Sequence, residues 1–322
     1  MSKPQIVNRF MFYWLSFMIF IFFLLDFIFS ITEWRPSSWA MTIFSQVIIF
    51  GVPCTVYLWR HRDRVKDILP TRSIGIKNVL LVIGMSIAIY PLATVMNVVV
   101  ASFFDNPTTS TAEGLMAEGG LWLMLVLIPI LPSIFEEVML RGIVFDGYKR
   151  VKIFVAALIN GLFFGLIHQN FVQFSYAFLV GFFMCYFIYY TKSIWAPILS
   201  HFVINIIGVL WWYFATNMQV VDAYPPADYP AYPMPAQGNV ALVAIVASIT
   251  LVFAGVFAVL FQIFKKHNLK RNEMAGVVTD TYADAVKRGE TPPKVMTRDL
   301  WAFVILSLLL MVFLEIIRMM MV

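Results

Sequence analysis

Nine apolar runs fill most of this chain, and each is long enough to cross a ~30 Å hydrocarbon core as a helix. They lie at about 11–31, 39–59, 78–103, 121–146, 152–169, 171–191, 194–216, 239–264 and 300–321. Within a bilayer the backbone must satisfy its own hydrogen bonds, so runs of this length fold as helices. The expected fold class is all-α, a polytopic transmembrane helical bundle of about 8–9 spans. Composition agrees: 61% of the 322 residues are hydrophobic and 13% are charged, against about 45–50% and about 25% in soluble domains. A mean hydropathy of +0.83 excludes a soluble enzyme on one anchor, a disordered chain and a nucleic-acid-binding surface.

The net charge of +5 reflects topology rather than a partner. Twenty of the 23 Lys and Arg fall before span one or in the gaps after spans two, four, six and eight. The opposite gaps hold only Arg35. By the positive-inside rule the N-terminus is cytoplasmic and the C-terminus lies outside. The first run is too long for a signal-peptide core and is read as a retained span. With no organellar targeting signal, a prokaryotic plasma membrane is the expected location. Cys54 and Cys185 fall inside apolar runs and are expected to be small core residues. Two long outer loops are expected, at 105–120 and at the Pro/Tyr-rich 218–238. The chain divides into N-terminal spans (1–120), a central helical core (121–216) and a C-terminal part with two further spans and a basic cytoplasmic loop (217–322).

Ionisable groups inside spans are costly unless paired, so each needs a reason. Residues 131–142 read Leu-Pro-Ser-Ile-Phe-Glu-Glu-Val-Met-Leu-Arg-Gly. Glu137 and Arg141 are four apart and share a helical face, which predicts an ion pair. Glu136 points about 100° away, so Arg141 leaves it free. Pro132 cannot donate a backbone hydrogen bond, which predicts a kink and a freed carbonyl. Phe164 stands one turn before His168, beside a small polar stripe of Asn160, Gly161 and Gly165 suited to close helix approach. His201 and Asn205 again share a face, and their N–H groups aimed at one point could hold an oxyanion. A carboxylate left unpaired suits general-base work on water. The set fits hydrolysis of an acyl or amide bond without a nucleophilic Ser or Cys. It equally fits a catalytic zinc set of Glu136, His168 and His201. Asp26 is read as a tip near the outer boundary, Glu315 with Arg318 as an ion pair, and His61 and His267 as solvated.

Glu-Glu-x-x-x-Arg at 136–141, Phe-x-x-x-His at 164–168 and His-x-x-x-Asn at 201–205 occur in this order on separate apolar helices. The chain thereby resembles the CPBP intramembrane proteases, the CAAX prenyl endopeptidases and their bacteriocin-processing or immunity (Abi) relatives, over about 121–216. The resemblance implies an intramembrane endopeptidase. Glu136 activates water with His168, Glu137 and Arg141 support them, Phe164 belongs to the motif, and His201 and Asn205 stabilise the oxyanion. It implies a peptide or membrane-protein substrate, prenylated in CAAX-type members. A metal-free glutamate mechanism is favoured over zinc. The rivals are a non-catalytic immunity or scaffold protein of the same fold and a proton-coupled transporter. One tension concerns depth: measured from the inner loop ends, Glu136, His168 and His201 lie roughly 18, 26 and 13 Å deep at 1.5 Å per residue.

Overall fold

The computed structural model describes residues 2–32, 34–104, 107–217, 240–278 and 280–321. The Pro/Tyr-rich loop expected at 218–238 lies outside these residues. Helix α1 (Lys3–Ile31) leads to α2 (Ser38–Phe44), which continues through a π-helical stretch, Ser45–Gly51, into α3 (Val52–Arg60). A short α4 (Val65–Ile68) precedes α5 (Ile76–Ala101). Helix α6 (Thr108–Glu137) passes through a second π-helical stretch, Val138–Val144, into α7 (Phe145–Tyr148). Then come α8 (Ile153–Leu166), α9 (Phe171–Thr191), α10 (Trp195–Asn217), α11 (Val240–Met274), α12 (Thr281–Lys287) and α13 (Arg298–Met321). Among the described residues the β pairing is a single isolated bridge, Thr71 to Ser193. The protein is an all-α polytopic bundle.

Among the described residues eight helices are long and apolar enough to cross a membrane. The fifth expected run, 152–169, is instead the 14-residue α8. At 1.5 Å per residue it reaches only about 21 Å. It ends early because Ile167–Asn170 turn back into α9, with Gln169 at φ 52°. Helices α8 and α9 form a close antiparallel hairpin. A Cβ at Gly161 would stand 2.7 Å from the Phe178 carbonyl oxygen, and one at Gly165 would stand 2.7 Å from the Phe174 ring. The small stripe read from the sequence is thus the surface on which α9 lies. This hairpin returns the chain toward the end from which α8 starts.

The outer loop expected at 105–120 is corrected in part. Residues 108–119 are helical and break at Gly120, which has φ 66°. Ala112 and Leu115 are buried at helical spacing, an apolar stripe that the Thr and Gly content obscures. The Glu118 carboxylate accepts the backbone N–H of Ser38 (2.7 Å) and Trp39 (3.1 Å) and caps α2.

The main core runs through α1, α5, α7, α8, α9, α11 and α13, with Trp14, Met85, Phe163, Phe264 and Phe303 fully buried. A smaller cluster, Leu115, Met124, Leu127 and Val209, joins α6 to α10. Lipid-facing surfaces carry large exposed apolar residues such as Phe20, Trp122 and Leu309, as expected of helices in hydrocarbon. Cys54 and Cys185 are buried free thiols, as read. Arg318 donates to Glu315 at 2.9 Å, again as read. Asp26 is exposed.

Candidate active site

The expected i,i+4 pair forms. Arg141 Nη1 donates to Glu137 Oε1 at 2.9 Å, and both side chains are fully buried. The Arg141 Nη2 donates to the Gly181 carbonyl at 3.0 Å. Its guanidinium lies 4.6 Å from the centroid of the Phe164 ring, a cation–π contact. Gly181 admits this approach: a Cβ there would meet Phe164 at 2.8 Å and Arg141 at 3.1 Å. Phe164 is therefore the hub of the cluster. His168 and His201 both meet its ring edge-on, with centroids at 5.2 and 5.4 Å.

This arrangement removes the depth tension. Phe164 stands 11 residues after the start of α8, about 17 Å in at 1.5 Å per residue. His168 follows the end of that helix, and its ring turns back so that Nδ1 lies 2.7 Å from the Phe164 carbonyl. Helical side chains lean toward the N-terminus, and this one does so across a full turn. The π-helical stretch at 138–144 carries Arg141 and follows Glu137 directly. Such bulges recur at functional sites.

Hydrogen-bond chemistry fixes the tautomers. A carbonyl only accepts, so Nδ1 of His168 carries the proton and Nε2 presents a lone pair. His201 Nδ1 lies 2.9 Å from the same Glu137 oxygen that Arg141 holds. A carboxylate orients that ring, and a neutral His201 likewise presents Nε2 as an acceptor. The oxyanion pair expected from the sequence thus has other partners. Asn205 Nδ2 donates to the Ile128 carbonyl at 3.1 Å. That carbonyl is the one Pro132 frees, since residue 132 has no N–H to return to it. One amide N–H of Asn205 remains after this bond.

Glu136 differs from its neighbour. It is buried, and Gln46 Nε2 reaches its Oε1 at a long 3.4 Å. No protein group donates to its Oε2. No cation pairs with it among the described residues. His168 and Tyr176 lie in its neighbourhood. Five buried polar atoms without a protein partner belong to this one cluster: Gln46 Oε1, Glu136 Oε2, Glu137 Oε2, Arg141 Nε and Asn160 Oδ1. Asn160 touches the π-helical backbone by donating to the Leu140 carbonyl at 3.0 Å. Such atoms are rare in folded interiors. Gln46 was missed in the sequence, although it is the one amide within the run 39–59 and could have been found as such. Among the described residues no three His, Cys, Asp or Glu side chains form a group able to hold a metal ion. Of the expected ligands, His168 and His201 flank Phe164, and with Glu136 they make no such group among the described residues.

Comparison with known proteins covers the same stretch. Residues 118–207 match the family model described as Type II CAAX prenyl endopeptidase Rce1-like. The chain is 32% identical over 89 residues to a Bacillus subtilis (strain 168) protein named "Putative membrane peptidase YdiL". That alignment covers 27% of this chain and 36% of the relative, so the chain spans about a third of that protein's length. No solved structure matches. These matches support the CPBP resemblance read from the three motifs, at the level of a membrane peptidase family.

Proposed function

We propose that this chain is an intramembrane endopeptidase in which Glu136 activates water. The observation that carries this reading is the contrast within one dipeptide. Glu137 is neutralised by Arg141, with His201 on the same oxygen, whereas Glu136 is buried with no cation and is held only by the long 3.4 Å bond from Gln46. Free lone pairs beside an imidazole acceptor are what a general base for water needs.

Water donates one proton to Glu136 Oε2 and a hydrogen bond to His168 Nε2, and its oxygen attacks the scissile carbonyl carbon. The carbon–oxygen bond forms as the proton passes to Glu136. Collapse of the tetrahedral intermediate breaks the carbon–nitrogen bond, and Glu136 returns the proton to the leaving amine. A His201 ring with a proton on each nitrogen keeps Nδ1 on Glu137 and turns Nε2–H into a donor that, with the spare Asn205 N–H, holds the oxyanion. Arg141 and Glu137 act as positioning groups.

The reading involves no metal. The proposed substrate is a peptide or membrane protein presented within the bilayer, with a prenylated C-terminal peptide as first candidate. The proposed location is a prokaryotic plasma membrane with the basic face cytoplasmic. The test is cleavage by the purified protein of prenylated and unprenylated membrane peptides, with Glu136→Ala and His168→Ala beside the parent. Loss of cleavage in both variants is expected. Unchanged cleavage in both contradicts the site, and loss on chelation with recovery on added zinc contradicts the metal-free mechanism. Proton-coupled flux that survives Glu136→Ala would instead favour a transporter.

A further inference from the structure

On most of the basic face, cations meet carboxylates. Arg64 and Lys149 hold Asp146 at 2.7 and 3.0 Å, Arg150 holds Glu290 at 3.0 Å, and Arg9 holds Asp299 at 3.5 Å. The end where α5 meets α11 is different. Arg72 Nη1 donates to the Asn272 amide oxygen at 2.8 Å, and Arg271 Nη2 donates to the Ser73 carbonyl. Both acceptors are neutral, so both arginines are fixed in place with their charge uncompensated. Lys77 and Arg271 repel His267, Arg72 repels Arg271, and no carboxylate offsets either repulsion. The nearest acid in sequence, Glu273, is exposed and forms no ion pair among the described residues. Arg271 Nη1 is buried with no protein acceptor.

Four cationic or protonatable groups held together without an acid form a pre-organised anion site, and guanidinium groups suit phosphate oxygens best. The surroundings favour a lipid as the source of that phosphate. Ile76 and Leu80, beside Lys77 on α5, are 73% and 63% exposed, as is usual at the hydrocarbon boundary. Toward the same end of α11, five residues of that one helix, Ala258, Val259, Gln262, Ile263 and Lys266, line a shallow open groove of about 320 Å³. An acyl chain along this groove would bring its headgroup to the cations.

We propose that Arg72, Lys77, His267 and Arg271 bind a phosphate group, that of an anionic phospholipid headgroup, where α5 and α11 leave the membrane. The site is independent of the hydrolytic cluster. It also touches the loop whose Pro70 carbonyl accepts the Ile194 N–H at 2.7 Å, one residue before α10.

The test counts lipids retained by native mass spectrometry after release from nanodiscs of phosphatidylglycerol and phosphatidylcholine. The full chain is compared with Arg72→Gln/Arg271→Gln and with Lys77→Gln/His267→Gln. The second pair makes no hydrogen bond in the structure, so it keeps the test valid if the arginine pair misfolds. Preferential retention of phosphatidylglycerol is expected, weakened about fivefold for each arginine or lysine removed. A second arm adds inorganic phosphate to lipid-depleted micelles. A rise in melting temperature with the parent but not the variants upholds the site with free phosphate as its ligand. Equal retention by all three proteins, together with no response to phosphate, overturns the proposal.

Discussion

Two regions of this bundle bury polar side chains among apolar ones and treat them oppositely. At the seam of α5 and α11, Asn78 and Asn268 exchange two hydrogen bonds of 3.0 and 2.8 Å, and Asn272 donates to the Tyr190 carbonyl. Where α1 meets the chain before α13, Asn8 accepts from Tyr148 at 2.5 Å and donates to Val295 and Thr297. These amides find partners for both ends. Around Phe164, by contrast, five buried polar atoms find none in the protein. A buried group without a partner costs about 1–3 kcal/mol, so such atoms persist where the fold gains something else from them. Closed polar groups hold helices together; open ones mark where water and substrate are to be met.

This contrast breaks most readily at Glu136. Glu136→Gln is expected to lower turnover by about 10²–10⁴ while leaving the melting temperature in micelles near that of the parent. Glu137→Leu should instead lower the melting temperature, since it strands a buried guanidinium at a cost of about 3–5 kcal/mol. Thermal unfolding would show the loss, and normal stability in that variant would mean that the ion pair is not what holds Arg141.

The closed region gives smaller effects. Asn78→Leu alone should cost about 1–3 kcal/mol by orphaning Asn268, and Asn78→Leu/Asn268→Leu should recover most of it. Cleavage per folded molecule should stay unchanged in both. Gln46→Met sharpens the comparison from the open side. Its 3.4 Å bond is long, so stability should move by less than about 0.5 kcal/mol. Turnover should fall about tenfold as Glu136 loses its only protein donor.

Lys192 provides the smallest test, outside both regions. Burial pushes its ammonium down from 10.5 to about 8, with Lys149 adding to the shift and Asp280 opposing it. The unfolded chain therefore binds the proton more tightly, and the penalty is present in full below pH 8. Stability should rise between pH 8 and 10.5 in the parent and not in Lys192→Met, read as melting temperature against pH. Parallel curves for the two proteins would show that the lysine is solvated.

Much of this architecture was legible because hydrocarbon permits few answers. Apolar runs gave the long helices, Gly161 and Gly165 announced the α8–α9 contact, and i,i+4 spacing announced the Glu137–Arg141 pair. Other features were legible only in halves. Pro132 announced a freed carbonyl and Asn205 a polar group in a span, but nothing local says that the one serves the other across 77 residues. Gln46 meets Glu136 across 90 residues for the same reason. Helix 108–119 was hidden because its Thr and Gly content mimics a loop, and it is held by packing against α10 and by Glu118 reaching across to cap α2. The shortness of α8 was hidden because hydropathy continues through Ile167 while the backbone does not.

The central claim is that the open carboxylate is the working one, and one measurement meets it directly. Cleavage of a membrane peptide in nanodiscs is compared for the parent, Glu136→Gln and Asn78→Leu/Asn268→Leu, with melting curves on the same samples. The account predicts loss of cleavage in Glu136→Gln at unchanged melting temperature and normal cleavage in the asparagine double variant. Cleavage at the parent rate by a folded Glu136→Gln protein would contradict it.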